Sequence, residues 1–328
     1  MNKKIPGPVI LVLAAAIAVS IFVFYSRPAP AAPQTSSTSV PAGVLEESEK
    51  GKLHIIVFGA HPDDCELRAG GVAALWAAQG HKVKFVSLTN GDIGHATMAG
   101  GPLAKRRTEE VKKAARVLGI ETEVLDNHDG ELMPTLENRK VLVRLIRQWK
   151  ADIVIGHRPN DYHPDHRYTG ILMQDAAFMV TVAHFCPDVP QLAKNPAFLY
   201  LVDNFQKPQP FKPDVVVGID DVLEKKANAL WCIESQIESL WATGNFEKVV
   251  PVPQEPAARE QRRQEVFKRF AARDEAIANK YRDKLIELHG QEKGQKIRCA
   301  EAFEMCEYGR QPSPAEIKQL FPFFGRQD

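Results

Sequence analysis

A chain of 328 residues, 44% hydrophobic and 25% charged, holds enough apolar material for one sizeable folded domain with appendages. A formal net charge of +1 excludes the basic excess that nucleic-acid binders carry, so no nucleic-acid partner is expected. Five cysteines without zinc-finger spacing exclude a structural zinc module.

The N-terminus has its own character. Lys3 and Lys4 precede an uncharged apolar stretch from Ile5 to Tyr25, long enough to cross a bilayer as a helix. Lysines before it and almost no charge after it favour export of the downstream chain. Ala29-Pro30-Ala31 also fits a signal-peptide cleavage pattern. Residues 1–26 are therefore expected to anchor the chain in the bacterial inner membrane, single-pass with the rest extracytoplasmic, or to be a cleaved signal that leaves it secreted or periplasmic. Residues 27–50, rich in Pro, Ala, Ser and Thr, read as a flexible linker.

From Leu53 the pattern alternates. Leu53 to Phe58 reads as a buried strand, closed by Gly59-Ala60 and followed at once by His61, Asp63 and Asp64. A helix follows from Leu67 to Gly80, and its Gly70-Gly71 pair implies close backbone packing. Lys82 to Leu88 is a second strand. The glycine-rich segment Gly91–Pro102 then suits a loop over the site, with Asp92 and His95 as candidates for substrate contact; a flexible connector is the alternative. A basic amphipathic helix from Leu103 to Leu118 precedes a short strand at Thr122–Leu125, after which His128-Asp129-Gly130-Glu131 can reach the same edge. Leu136 to Trp149 is helical, Ala151 to Gly156 a strand, and His157 to Arg167 a second polar cluster leading into a helix. Strands at Ala197–Val202 and Val215–Ile219 precede a helix from Asp221 to about Leu240. This alternation predicts an α/β, Rossmann-like, mostly parallel sheet with helices on both faces, over residues 51–245. Residues 246–328, dominated by a charged amphipathic helix from Ala257 to His289, read as a helical C-terminal extension packing on that domain.

The two polar clusters carry the chemistry. His61 and Asp64, three residues apart, can face one point, which suits zinc ligation with Asp63 as a nearby base; simple helix capping by the aspartates is the alternative. In the second cluster Pro164 suits a first helical turn, placing His163 and His166 on one face. Turns at the C-terminal ends of neighbouring parallel strands meet at one sheet edge. His61, Asp64 and His166 then offer three ligands and leave one position open, the pattern of a catalytic zinc. Such ligands also admit Fe2+ or another divalent transition metal.

His61-Pro62-Asp63-Asp64 after a first strand, with His163-Pro164-Asp165-His166 later, resembles the PIG-L/LmbE-like zinc-dependent N-deacetylases. The resemblance extends through Thr89–Asp92, Arg107–Glu110 and Ala114–Gly119, and includes Ala300–Phe303 near the end. It implies His61, Asp64 and His166 as metal ligands, Asp63 as general base, and His163 as the group that stabilises the intermediate or protonates the leaving amine. The chain departs from the family pattern at Cys65, which precedes the expected glutamate, at Ile233 in place of a histidine, and at Asp161, with Tyr162 displaced by one position. The expected activity is hydrolysis of an N-acyl, most simply N-acetyl, group on an amino sugar or glycoconjugate. An amidase of a sugar conjugate, or an idle carbohydrate-binding protein, is the alternative. Asp165 is expected to hold His163 as an imidazolium; Arg68, Asp92 and Tyr162 are candidate substrate contacts, with a structural ion pair equally open for Arg68. Cys299 and Cys306 can form a disulfide if the domain is exported.

Overall fold

The computed structural model describes residues 51–244 and 246–324. The expected anchor (1–26) and linker (27–50) lie outside the described residues. Among the described residues no helix is long and apolar enough to cross a membrane. The expectation of a single-pass inner-membrane protein is therefore corrected.

Seven strands form one sheet in the order β3-β2-β1-β4-β5-β7-β6. They are β1 (His54–Gly59), β2 (Lys82–Ser87), β3 (Glu121–Val124), β4 (Ile153–Gly156), β5 (Ala197–Leu201), β6 (Val215–Gly218) and β7 (Ala300–Gly309). The first five pair in parallel, whereas β7 runs antiparallel to both β5 and β6. Ile55 and Val57 of β1 enter one apolar layer, Ile56 and Phe58 the other. Burial on both faces explains why the strand reads as a continuous apolar run rather than an alternation.

On the layer of Ile55 and Val57 lie α1 (Asp64–Ala78), α2 (Gly101–Leu118) and, later in the chain, Leu223–Trp231. The opposite layer is covered by α3 (Leu136–Gln148) and α4 (Pro164–Met179), through Leu142, Ile146, Leu172 and Met173. Taking the remaining helices in order, Leu223–Trp231 is α5, Glu234–Glu238 α6, Leu240–Thr243 α7, Pro256–Lys280 α8, Arg282–His289 α9, Gln291–Lys296 α10 and Pro314–Leu320 α11.

The sheet is thus mixed, and the C-terminal region is not a purely helical extension. Its strand β7 fills the space between β5 and β6. Glu301 hid this strand, because a charge inside an apolar run argues against burial. The structure resolves the conflict with partners: Glu301 accepts from the backbone N–H groups of Gly71 and Val72, each at 2.8 Å, and pairs with Lys226 Nζ at 2.8 Å. Lys226 also meets Asp274 at 2.7 Å. At Gly71 a Cβ would lie 2.7 Å from Ile219 Cγ2, so the glycine is required for this close approach of α1. Cys299 and Cys306 are free thiols. Extended chain carries them on the order of 20 Å apart, beyond disulfide reach.

β1 continues through α1 into β2 on one side and lies against β4 on the other. The order reverses there, and the crevice opens at the C-terminal ends of β1 and β4.

Candidate active site

Both polar clusters reach that crevice. His61, Asp63 and Asp64 leave the end of β1, and α1 begins at Asp64, three residues earlier than its apolar pattern suggests. Asp63 occupies the N-cap position but its side chain makes no capping hydrogen bond. Asp64 turns back instead, its Oδ2 accepting from Ala60 N (3.0 Å) and His61 N (2.9 Å). Across the crevice, His163 caps α4: its Nδ1 accepts from Asp165 N at 3.2 Å. His166 then projects from the first turn.

Three donor atoms meet. His61 Nδ1 and His166 Nε2 are 3.2 Å apart, and each lies 3.4 Å from Asp64 Oδ2. Ligands at about 2.0–2.1 Å from a tetrahedral ion stand roughly 3.3–3.4 Å from one another. The triangle therefore fits one face of a tetrahedral metal site, with the fourth position left for water or substrate.

Carboxylates face the far side of both imidazoles. His61 Nε2 lies 3.1 Å from Asp129 Oδ1 and 3.3 Å from Asp165 Oδ2, and His166 Nδ1 lies 3.1 Å from Asp161 Oδ2. Partners of this kind fix ring orientation and raise the basicity of a ligating nitrogen. Burial opposes charge on His61, but Asp129, Asp165 and Asp64 outweigh it and hold its proton well above the usual imidazole range. Asp64 shows the reverse: burial works against its carboxylate, and His166 and His157 overcome this to hold it well below the ordinary range. Excess carboxylate around two imidazoles is a setting a divalent cation satisfies.

Asp63 is buried beside the triangle, its Oδ2 3.4 Å from Arg107 Nη2. Burial raises its pKa, Arg107 opposes that rise, and Asp64 adds to it. Arg107 is itself clamped, donating to the carbonyls of Gly91 (3.2 Å) and Pro62 (3.4 Å). Gly91 sits at φ +68, and a Cβ there would lie 2.4 Å from Arg107 Nη1. The glycine-rich loop is thus shaped by the arginine that steadies Asp63.

The other expected site residues have partners of their own. Asp165 does not hold an imidazolium of His163: its carboxylate accepts from Gly130 N (2.7 Å) and Leu132 N (3.2 Å) and faces His61. Burial, with His61 and His166 next, keeps His163 below the usual imidazole range, so it is neutral at neutral pH. Asp92 is tied to the loop after β3. Its carboxylate meets His128 Nδ1 at 2.7 Å and accepts from Asp129 N at 3.1 Å, which positions Asp129. His95 faces Glu238 at 3.2 Å. Tyr162 is 70% exposed, and its ring stands edge-on to His163 and His166 at 5.7 Å, on the rim. Arg68 donates to the carbonyl of Val202 beyond β5. Residues that the motif reading left without a role are His157, Asp161 and Arg107. For His157 a signal was present, since it directly follows a strand end just as His61 nearly does.

The chain matches the family model described as PIG-L: GlcNAc-PI de-N-acetylase over residues 56–177. It is 33% identical over 194 residues to the diacetylchitobiose deacetylase of Thermococcus kodakarensis, a match covering 57% of this chain and 72% of that protein. It is 28% identical over 198 residues to the 4-oxalmesaconate hydratase of Pseudomonas putida, covering 57% of this chain and 74% of that one. The structure of N,N'-diacetylchitobiose deacetylase from Pyrococcus horikoshii, complexed with its inhibitor MPG, shares the fold. Its TM-score is 0.60 at 23% identity, covering 80% of this chain and 86% of that one. On the identity to the Thermococcus deacetylase and the extent of the match, the chain belongs to the PIG-L family.

Proposed function

We propose that the chain is a metal-dependent hydrolase that removes an N-acetyl group from an amino sugar or sugar conjugate. The observation that carries this reading is the triangle of His61 Nδ1, Asp64 Oδ2 and His166 Nε2, with buried Asp63 beside it. These three residues would hold the ion; two imidazoles and a carboxylate suit zinc, and also Fe2+. When bound, the metal supplies an acidic water and polarises the amide carbonyl. Asp63 accepts the proton that the attacking water gives up, and a raised pKa makes it a better base near neutrality. Arg107 keeps that carboxylate oriented.

His163 acts from the other wall. Because Nδ1 accepts a backbone N–H, the proton of the neutral ring sits on Nε2. That N–H can donate to the oxygen on which charge develops as the carbonyl becomes tetrahedral. As the C–N bond breaks, the proton held by Asp63 passes to the departing nitrogen. Tyr162 borders the entrance, where a sugar ring would stack or hydrogen-bond.

The relatives' names support the deacetylase reading: one is a diacetylchitobiose deacetylase. A second reading, addition of water to an unsaturated carboxylate, draws on the hydratase relative and on two arginines lining a cleft next to the site. The test is incubation of the metal-loaded chain with N,N'-diacetylchitobiose and with neutral and acidic N-acetylglucosamine conjugates, assaying free amine and acetate together with bound metal. Equal release of amine and acetate is expected. Absence of both across the panel, with metal bound, would sink the deacetylase reading.

A further inference from the structure

A small cleft lies beside the triangle, lined by Arg68 of α1, Val202 and Asp203 after β5, and Arg273, Lys280 and Tyr281 at α8 and its end. Its volume of about 140 Å³ equals that of a few water molecules. That is room for one small polyatomic group and not for a sugar ring. Arg68 follows Asp64 by four residues on α1, so it shares that face about 6 Å along the helix axis.

The arginines are under-used. Arg68 gives one nitrogen to the Val202 carbonyl, while its buried Nε has no hydrogen-bond partner. Arg273 makes no hydrogen bond or ion pair among the described residues. Burial and then repulsion from Arg68 push Arg273 down to about 10, so the two guanidinium groups feel one another across the cleft. The carboxylate in the lining is already committed: Asp203 lies 3.2 Å from Arg158 Nη1 and accepts from Phe205 N at 3.0 Å. Asp274, next to Arg273, turns to Lys226. Two mutually repelling guanidinium groups with unused donors have one simple complement, an anion that bridges them, and their planar forks favour a carboxylate or a phosphate oxygen pair.

We propose that this cleft is an anion subsite of the active site, in which Arg68 and Arg273 grip a carboxylate or phosphate monoester of the substrate while Lys280 borders the same space. The substrate is then an acidic rather than a neutral sugar derivative. This rests on the deacetylase reading only for the reaction performed at the triangle; the subsite itself is a matter of binding.

The test is a calorimetric titration of the full metal-loaded chain with glucose 6-phosphate, glucuronate and glucose. At least one acidic sugar should bind tenfold or more tightly than glucose, and the better of the two identifies the group. Arg273→Gln and Arg68→Gln should each remove that advantage. Arg273→Lys keeps the charge without the fork and should show an intermediate preference; a packing defect would instead abolish it in both Arg273 variants, and that overturns the proposal. Equal binding of all three sugars, or a preference that persists in Arg273→Gln, overturns it too. If no sugar is deacetylated yet the acidic preference stands, the proposed reaction has failed and the subsite has not.

Discussion

His157 lies flat against His166, ring centroids 4.1 Å apart and planes 16° from parallel, with its Nε2 3.2 Å from Asp64 Oδ2. One buried imidazole thus touches two of the three residues in the donor triangle without belonging to it. Burial, and then His166, push its pKa down to about 4, so it packs there as a neutral ring. His157→Ala should weaken metal affinity by about 10–100-fold while leaving all three donors in place. Competition with a chelator of known affinity measures this. An unchanged affinity would make His157 a packing residue and nothing more.

Removal of a donor should act differently from removal of the base. His61→Ala, Asp64→Ala and His166→Ala are each expected to lower bound metal and turnover together. Asp63→Asn keeps size and burial but not basicity, so metal should stay while kcat falls by about a hundredfold or more. Metal analysis and rate measurement on the same samples decide it. Should Asp63→Asn lose the metal while Asp64→Ala keeps it, the two carboxylates have been assigned the wrong way round.

The chemistry of the two clusters was legible because each is local: apolar strand, small residues, then His and Asp within one turn. The strands β1 to β5 were legible from the same alternation, since each is read from a few adjacent residues, whereas their order in the sheet was not. The features that stayed hidden depend on distant pairing. Nothing near Glu301 reveals that its charge is met by Lys226 and by two N–H groups of α1, some 230 residues away along the chain. Arg273, on a helix that reads only as charged and amphipathic, lines one cleft with Arg68 where α8 packs against β7. Asp165 shows the opposite failure: being two residues from His163 suggested a pair, but the helix turn points it toward the loop after β3.

The buried cluster under β7 should carry stability rather than catalysis. Glu301→Leu leaves Lys226 with Asp274 alone and removes the carboxylate to which two backbone N–H groups of α1 donate. Breaking a buried pair this way costs about 3 kcal/mol or more. Urea unfolding should show the loss as a lower midpoint, with the slope unchanged. A cost below about 1 kcal/mol would mean that water replaces the lost partner.

The last expectation concerns pH and the role of His163. Its folded-state pKa is depressed, by burial first and then by His61 and His166. A bound cation would push in the same direction, because positive charge disfavours a second positive charge nearby. The neutral ring is therefore the form present at and above neutral pH, and protonation occurs only as pH falls below the ordinary imidazole range. Protonation would also place a hydrogen on Nδ1, which now accepts Asp165 N–H, and so would break the cap of α4. His163 then serves as a hydrogen-bond donor through Nε2 and contributes nothing to a loss of rate on the basic side. His163→Ala should lower kcat/KM by about 10²–10³-fold, the usual cost of one oxyanion donor, with the basic limb of the pH profile unmoved. His163→Gln, which can offer an amide N–H from nearly the same place, should recover part of that loss. If the basic limb vanishes in His163→Ala, the imidazolium is a working acid after all, and the neighbouring carboxylates Asp129 and Asp165 must sustain its charge.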